Sequence, residues 1–445
     1  MKHINKSSEQ GSAAGWLQSV VQRNRRREPV GLYSVCCANV WVLEAAMRQA
    51  LKDGSPLCIE STSNQVNQFG GYTGMTPSQF VTFVGAIAKR VGFPEDRILL
   101  GGDHLGPYPW RNEPSETALA KAGEMVRACI AAGYSKIHLD ASMACADDDR
   151  NRPLADEVIA HRAAALCQVA EQAWASLSDR SAAPLYIIGT EVPTPGGEQG
   201  PGLAPAVTLV EDARTTLDHF RSAFLKRGLE AAWERVVGLV VQPGVEFGDA
   251  SVFEYDRRKA QFLCNSLPAS PALVYEAHST DYQPAAALRQ MVEDHFAILK
   301  VGPWLTFAFR EAVFALGAIE QEWLGKRAQL NVSHVPEALE QAMLSNPVYW
   351  RPYYRGGEWE QHLARRFSYS DRCRYYWPDP AVERELDLLL ANLSASPPPL
   401  TLLSQYLPDA YDAVRSGAVP NLPASLIHDR IRKVVKIYSA ACSIP

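Results

Sequence analysis

The stretch "LLGGDHLGPYPW", residues 99–110, sets Asp103 beside His104 where an apolar run gives way to glycine and prolines. A carboxylate can move a proton and an imidazole can hold a metal ion, so the pair suits a reaction in which a cation and an acid/base group act on one substrate. Other short apolar runs end in the same way: at Asn39, at Glu60 with Ser61 and Thr62, at His138 with Asp140, at Glu191, at Gln242 with Glu246, at Glu276 with His278, and at Lys300. One or two buried polar groups need no function, because a core can pair them. Eight runs ending so would leave many charges to be paired at once, each costly if it is not.

His104 and His278 are the candidate nitrogen ligands of one divalent cation, and Glu191, Gln242, Glu246 and Asp140 the candidate oxygen donors. Nitrogen and oxygen donors with no thiolate among them suit zinc or manganese. Asp103 is read as the acid/base beside the ion rather than a ligand. His138 shares a face with Asp140 two residues on and is expected to form a layer just below the site. In "TEVPTPGGEQG" two prolines and the Gly196-Gly197 pair fix a turn after Glu191 that could return Glu198 or the backbone toward the ion. The amide-rich "TSNQVNQFGGYTGMTP", residues 62–77, reads as a lid that meets substrate hydroxyls through Asn64, Gln65, Asn67 and Gln68.

The elements that must position these residues are legible as alternation. Eight β-rich runs ("GLYSVCCAN", "PLCIEST", "ILLGGDH", "KIHLDAS", "LYIIGTEV", "VGLVVQPG", "ALVYEAHS", "AILKVGP") are separated by segments with apolar residues at helical spacing, such as "SETALAKAGEMVRACIAAG". Strand then helix, eight times, predicts a (β/α)8 TIM barrel, whose catalytic groups stand at the carboxyl ends of its strands. An open doubly wound sheet competes less well, for want of a glycine-rich turn after the first strand. The division predicted is a leader and helix over 1–28, the barrel over 29–325 and a mostly helical C-terminal region over 326–445. That last region holds the aromatic stretches "NPVYWRPYYRGGEWE" and "RFSYSDRCRYYWPDP", read mainly as packing.

Of the 445 residues 47% are hydrophobic and 21% charged, with a formal charge of −5. Such a chain has no basic field for nucleic acid or anionic lipid. The nine cysteines form no CxxC pair, and neither a secretory signal nor a membrane span is visible, so a cytoplasmic protein is expected.

The segments "IESTSNQVNQFGGYTGMTP", "GGDHLGPYPW", "HLDASM", "GTEVPTPGGE", "VVQPGVEFGD", "YEAHSTDYQ" and "LKVGPWLTFAFREA", with "NPVYWRPYY" in the tail, resemble the non-catalytic subunit family of tagatose-bisphosphate aldolase, GatZ/KbaZ. That family is similar to class II, metal-dependent ketose-bisphosphate aldolases and includes tagatose 6-phosphate 4-epimerases. The resemblance implies a barrel, a zinc or manganese ion, and a ketohexose or its phosphate as substrate. It implies proton transfer at the C4 oxygen for Asp103, metal binding for His104 and His278, and catalytic positions for Glu191 and Asp140. Asn39, Glu60, Asn64, Gln65, Asn67, Gly197, Ser279 and Lys300 are then expected to hold the sugar. Two departures stand out. The aldolase histidine of the sixth strand is absent from "QPGVEFG", so Gln242 or Glu246 is expected to replace it. Ser279, Thr280, Asp281 and Tyr282 stand where the aldolase has a glycine-rich phosphate loop. A 4-epimerase that breaks and remakes the C3–C4 bond is the reading adopted, and a non-catalytic stabilising subunit for a separate class II aldolase is the alternative; as partners, a class II aldolase subunit or further copies of this chain in a homo-oligomer are both open.

Overall fold

The computed structural model describes residues 13–178, 183–190, 205–267, 273–327 and 330–443. Eight parallel strands close into a barrel: β1 (Leu32–Cys36), β2 (Leu57–Thr62), β3 (Ile98–Leu105), β4 (Lys136–Leu139), β5 (Leu185–Ile188), β6 (Val236–Val240), β7 (Val274–Ala277) and β8 (Phe296–Val301). Each pairs with the next, and β8 pairs with β1 through Leu32–Ile298 to Val35–Val301. Each coincides with one of the eight runs predicted, the strands Ile98–Leu105, Val236–Val240 and Phe296–Val301 extending a single residue beyond theirs. Helices such as Ser115–Ala131 and Asp156–Ala175 provide the crossovers.

The interior is divided. Toward the amino ends of the strands Leu32, Cys58, Leu99, Val274 and Ile298 form an apolar plug, joined by Ala14, Leu17 and Val21 of the helix Ala13–Arg25. Burying each large aliphatic chain there contributes about 1.5–3 kcal/mol. The first helix therefore closes the barrel below the site. Toward the carboxyl ends the interior turns polar, with Glu60, Lys136, Glu276 and Lys300 all buried. Gly101 makes room for this layer, since a Cβ there would lie 2.8 Å from the Glu60 side chain.

The C-terminal region is bound to the barrel. Its last helix, Pro423–Ala441, packs against the helices Val40–Asp53 and Pro303–Leu324, and the Tyr438 hydroxyl donates to the Thr280 carbonyl at 2.7 Å. No helix among the described residues is long and apolar enough to cross a membrane. All nine cysteines are unpaired.

Candidate metal centre and active site

In a regular strand Asp103 and His104 would point to opposite faces. The pairing of β3 with β4 steps from Gly102–Ile137 to Leu105–Leu139, so Asp103 and His104 together oppose the single residue His138. This is a β-bulge, and His104 takes a left-handed φ of 49° within it. Such a backbone costs about 1–3 kcal/mol in a non-glycine residue. It places both side chains on the same pocket.

Three imidazoles meet there. The rings of His104, His138 and His278 form a triangle with centroids 5.1–5.2 Å apart. Each has its own carboxylate: His104 Nδ1 lies 2.9 Å from Asp140, His138 Nδ1 2.9 Å from Asp103, and His278 Nε2 2.9 Å from Glu276. The backbone N–H of His104 also approaches His138 Nδ1, at 3.2 Å. The shorter contact is to a carboxylate, so we assign the ring proton to the bond with Asp103. Held in this way, each ring when neutral keeps its other nitrogen as a lone pair, the arrangement in which carboxylates orient metal-binding histidines. His138 Nε2 is buried and has no hydrogen-bond partner among the described residues. Donor atoms of Asp103, His138, Glu276 and His278 lie within 4.8 Å of one another.

Beneath the rings lies a closed ion network. Lys136 Nζ sits 2.5 Å from Glu60 and 2.7 Å from Glu276; Lys300 Nζ contacts Glu60, lies 2.9 Å from Asp103 and 3.7 Å from Glu276. With Asp140, four carboxylates among the described residues face two ammonium groups, leaving two negative charges when the imidazoles are neutral. One divalent cation would balance them, and a buried imbalance of this size is otherwise costly. Burial raises the Asp103 carboxyl, but His104 and Lys300 overcome it and hold it well below the usual range. Burial, opposed by Glu276, lowers His278 to about 4 and so keeps it neutral. His104 is raised, the pull of Asp103 and Asp140 exceeding the effect of burial. The residues thus fit a divalent cation by donor chemistry, by the orphaned nitrogen and by charge.

The structure distributes the expected residues unevenly. Asp103, His104, His278, Ser279, Lys300, Asn64 and Gln65 line one pocket. Gln242 and Glu246 do not join them. The Gln242 Oε1 accepts from the backbone N–H groups of Gly244 and Val245, and Glu246 accepts from its neighbour Phe247 in a short antiparallel ribbon. His138, from β4, supplies the third imidazole instead of any sixth-strand residue. Asn39 caps the helix Val40–Asp53, its Oδ1 accepting from Trp41 and Val42. Asn67 binds its own loop at Ser63, Phe69 and Gly71. Gln68 donates to the Lys121 carbonyl. Glu60 lies under the pocket as a partner of both lysines, and Asp140 lies behind His104, also accepting from Ser142. Glu191, Gly196, Gly197 and Glu198 lie outside the described residues. The loop over residues 62–77 is tied by internal bonds, Thr62 N–H to Gln65 and the Thr73 hydroxyl to the Gln65 carbonyl, with Val66 bridged to Met75. It forms a wall.

Sequence reasoning gave the tail mainly to packing, with an oligomer contact or a wall of the site as the lesser readings. Arg374 and Tyr375, in the short 3-10 helix Arg372–Tyr375, line the pocket together with Tyr72 and Asp281. Lys136 was also missed, although "KIHLD" puts Lys136, His138 and Asp140 on one face.

Residues 17–443 match the family described as D-tagatose-1,6-bisphosphate aldolase subunit GatZ/KbaZ-like. A solved structure from Sinorhizobium meliloti 1021, described as a probable tagatose 6 phosphate kinase, is 46% identical, with a TM-score of 0.84 over 93% of this chain and 100% of that one. The YdjI aldolase of Escherichia coli K12 is 10% identical with a TM-score of 0.39, covering 84% and 96% of the two chains. The fructose-bisphosphate aldolase of Campylobacter jejuni is 13% identical with a TM-score of 0.40, covering 86% and 93%. With its family match spanning almost the whole chain and a relative of nearly half identity matched end to end, the protein belongs to the GatZ/KbaZ-like family.

Proposed function

We propose that the chain is a metal-dependent ketohexose 4-epimerase that interconverts tagatose and fructose, free or as 6-phosphates, by breaking and remaking the C3–C4 bond. One observation carries the reading: three imidazoles, each bonded to its own carboxylate, meet at one point, and two of them, His104 and His278, line the same pocket as Asp103 and the buried ammonium of Lys300. His104, His138 and His278 would hold zinc or manganese, which when bound supplies Lewis-acid polarisation of the sugar's C2 carbonyl. Asp103 takes the proton of the C4 hydroxyl. Lys300, 2.9 Å away, keeps that carboxylate ionised and ready to accept. As the C3–C4 bond breaks, its electron pair passes to C3 and onto the C2 oxygen, and C4 becomes an aldehyde. Asn64, Gln65, Tyr72 and the Arg374–Tyr375 wall enclose the fragments, so that the aldehyde can turn and be attacked on its other face.

The purified chain alone should convert tagatose to fructose, or the 6-phosphate to its epimer, lose this on chelation and regain it with zinc or manganese. A fully metallated chain that converts neither pair, yet raises the activity of a class II aldolase mixed with it, would replace this reading with that of a stabilising subunit.

A further inference from the structure

Inverting C4 through cleavage sets a requirement that Asp103 alone does not meet. On the way out the C4 oxygen gives its proton to Asp103. After the aldehyde turns about the C4–C5 bond, the same oxygen points away from Asp103 when the bond re-forms. The new alkoxide must then be protonated from another side of the pocket. Among the described residues the pocket's titratable groups are Cys36, Tyr72, Asp103, His104, His278, Asp281 and Lys300 from the barrel strands and their loops, while Arg374 and Tyr375 enter from the tail; of the two phenols only Tyr375 has a guanidinium donating to its hydroxyl among the hydrogen bonds of the described residues.

Resting on the epimerase reading, we propose that Tyr375 is the second proton-transfer residue, serving the C4 epimer that Asp103 does not. Its ring is fixed by packing: Tyr349 stacks on it at 4.8 Å and 12°, and Tyr72 meets it edge-on at 4.6 Å. Its hydroxyl accepts from Arg374 Nη2 at 2.9 Å. Arg372 and Arg374 form no ion pair within 4.0 Å of a carboxylate among the described residues, and Arg372 is almost wholly buried with Nε lacking a hydrogen-bond partner. Two guanidinium groups with no carboxylate ion pair among the described residues, beside one phenol, favour its anion. Burial raises the Tyr375 hydroxyl, but Arg374 and Arg372 bring it below its ordinary value. The other titratable groups packed around it are the phenols of Tyr72, Tyr349, Tyr108 and Tyr376, which oppose a further charge there.

The protons balance. Starting from one epimer, the Asp103 carboxylate accepts the C4 hydroxyl proton and the C3–C4 electron pair moves to C3. Attack of C3 on the turned aldehyde moves the carbonyl pair to oxygen, and the Tyr375 hydroxyl protonates it. The cycle ends with Asp103 protonated and Tyr375 a phenolate, restored by proton exchange with solvent. From the other epimer the same steps run in reverse, with the phenolate as base.

The test uses Tyr375→Phe, which keeps the ring and its stack. Each epimer is supplied separately to the metallated wild-type chain and to the variant, and both interconversion and release of the three-carbon aldehyde are followed. The expected result is a loss of interconversion by about 10²–10⁴-fold, with aldehyde release retained from one epimer and lost from the other. A phenolate absorbance titration should show one tyrosine ionising below about pH 10 in the wild type and missing from the variant. Interconversion at the wild-type rate, or equal loss of cleavage from both epimers, overturns the role of Tyr375. A metallated wild type that interconverts neither pair overturns the epimerase reading itself, and this proposal with it.

Discussion

Lys136→Met tests the ion network under the site. Lys136 is fully buried and bridges Glu60 and Glu276 at 2.5 and 2.7 Å. Methionine keeps much of the side-chain volume and removes the charge, so packing loss is small. Glu60 retains Lys300, but the Glu276 Oε2 loses its ion-pair partner, because the other oxygen is the one that meets His278. Removing one member of a buried pair costs about 3–5 kcal/mol, and here one ammonium serves two carboxylates, which places the cost at the upper end. Against a total stability of about 5–15 kcal/mol this is a large shift in a denaturant midpoint. In the wild type burial raises Glu276 but Lys136 and Lys300 hold it well below 4.5, so its stabilisation is present above that value and lost as pH falls through the lower folded value. In the variant the unpaired carboxyl moves upward and binds a proton more readily. The difference between the two proteins is therefore largest near neutral pH and narrows in acid. Adding Glu276→Gln should recover part of the loss, since the coupled pair then lacks both charges. A cost under about 1 kcal/mol at neutral pH, with no narrowing in acid, would refute the claim that these groups are ionised and paired.

Three further outcomes follow from the same geometry. Removing an imidazole from the triangle, by His104→Ala or His278→Ala, should lower bound zinc and turnover together, read by metal analysis of the purified protein; full metal content would remove that ring from the site. His138→Ala should do the same, whereas a residue merely filling the layer below would leave metal content unchanged. Asp281 accepts from the N–H groups of Gly302 and Trp304, yet burial raises it from 3.8 to about 6. The protein therefore loses stability through this group as pH rises from about 4 to 6, so Asp281→Asn, which keeps an acceptor oxygen, should be more stable above that window by at most about 3 kcal/mol and indistinguishable below it in pH-dependent melting.

The barrel was legible because each strand is a short apolar run bounded by turn residues, and because Ala-rich helices separate the runs at regular spacing. Asp103, His104 and His278 were legible as chemically suited residues at strand ends. That Asp103 and His104 share a pocket was not, because alternation predicts opposite faces and only the bulge at β3 overrides it. The third metal ligand was sought in Gln242 or Glu246 after β6 by analogy, while "KIHLD" already carried His138 on the face of Lys136. Gln242 and Asn39 looked like site residues from position alone; a local backbone N–H claimed each side chain. The aromatic tail gave no periodic signal, and its place over the barrel depends on contacts between residues far apart in sequence, such as Tyr72 with Tyr375.

The central claim, that this chain itself moves a proton at C4 beside a bound cation, is tested most directly by Asp103→Asn at saturating zinc. Metal stoichiometry and the rate of tagatose–fructose interconversion are measured on the same sample, with the wild type alongside. The account predicts a filled metal site in both proteins and a rate lower by about 10²–10⁴ in the variant. A variant rate restored by excess zinc would instead make Asp103 only a support for His138, and an undiminished rate would place the proton transfer elsewhere.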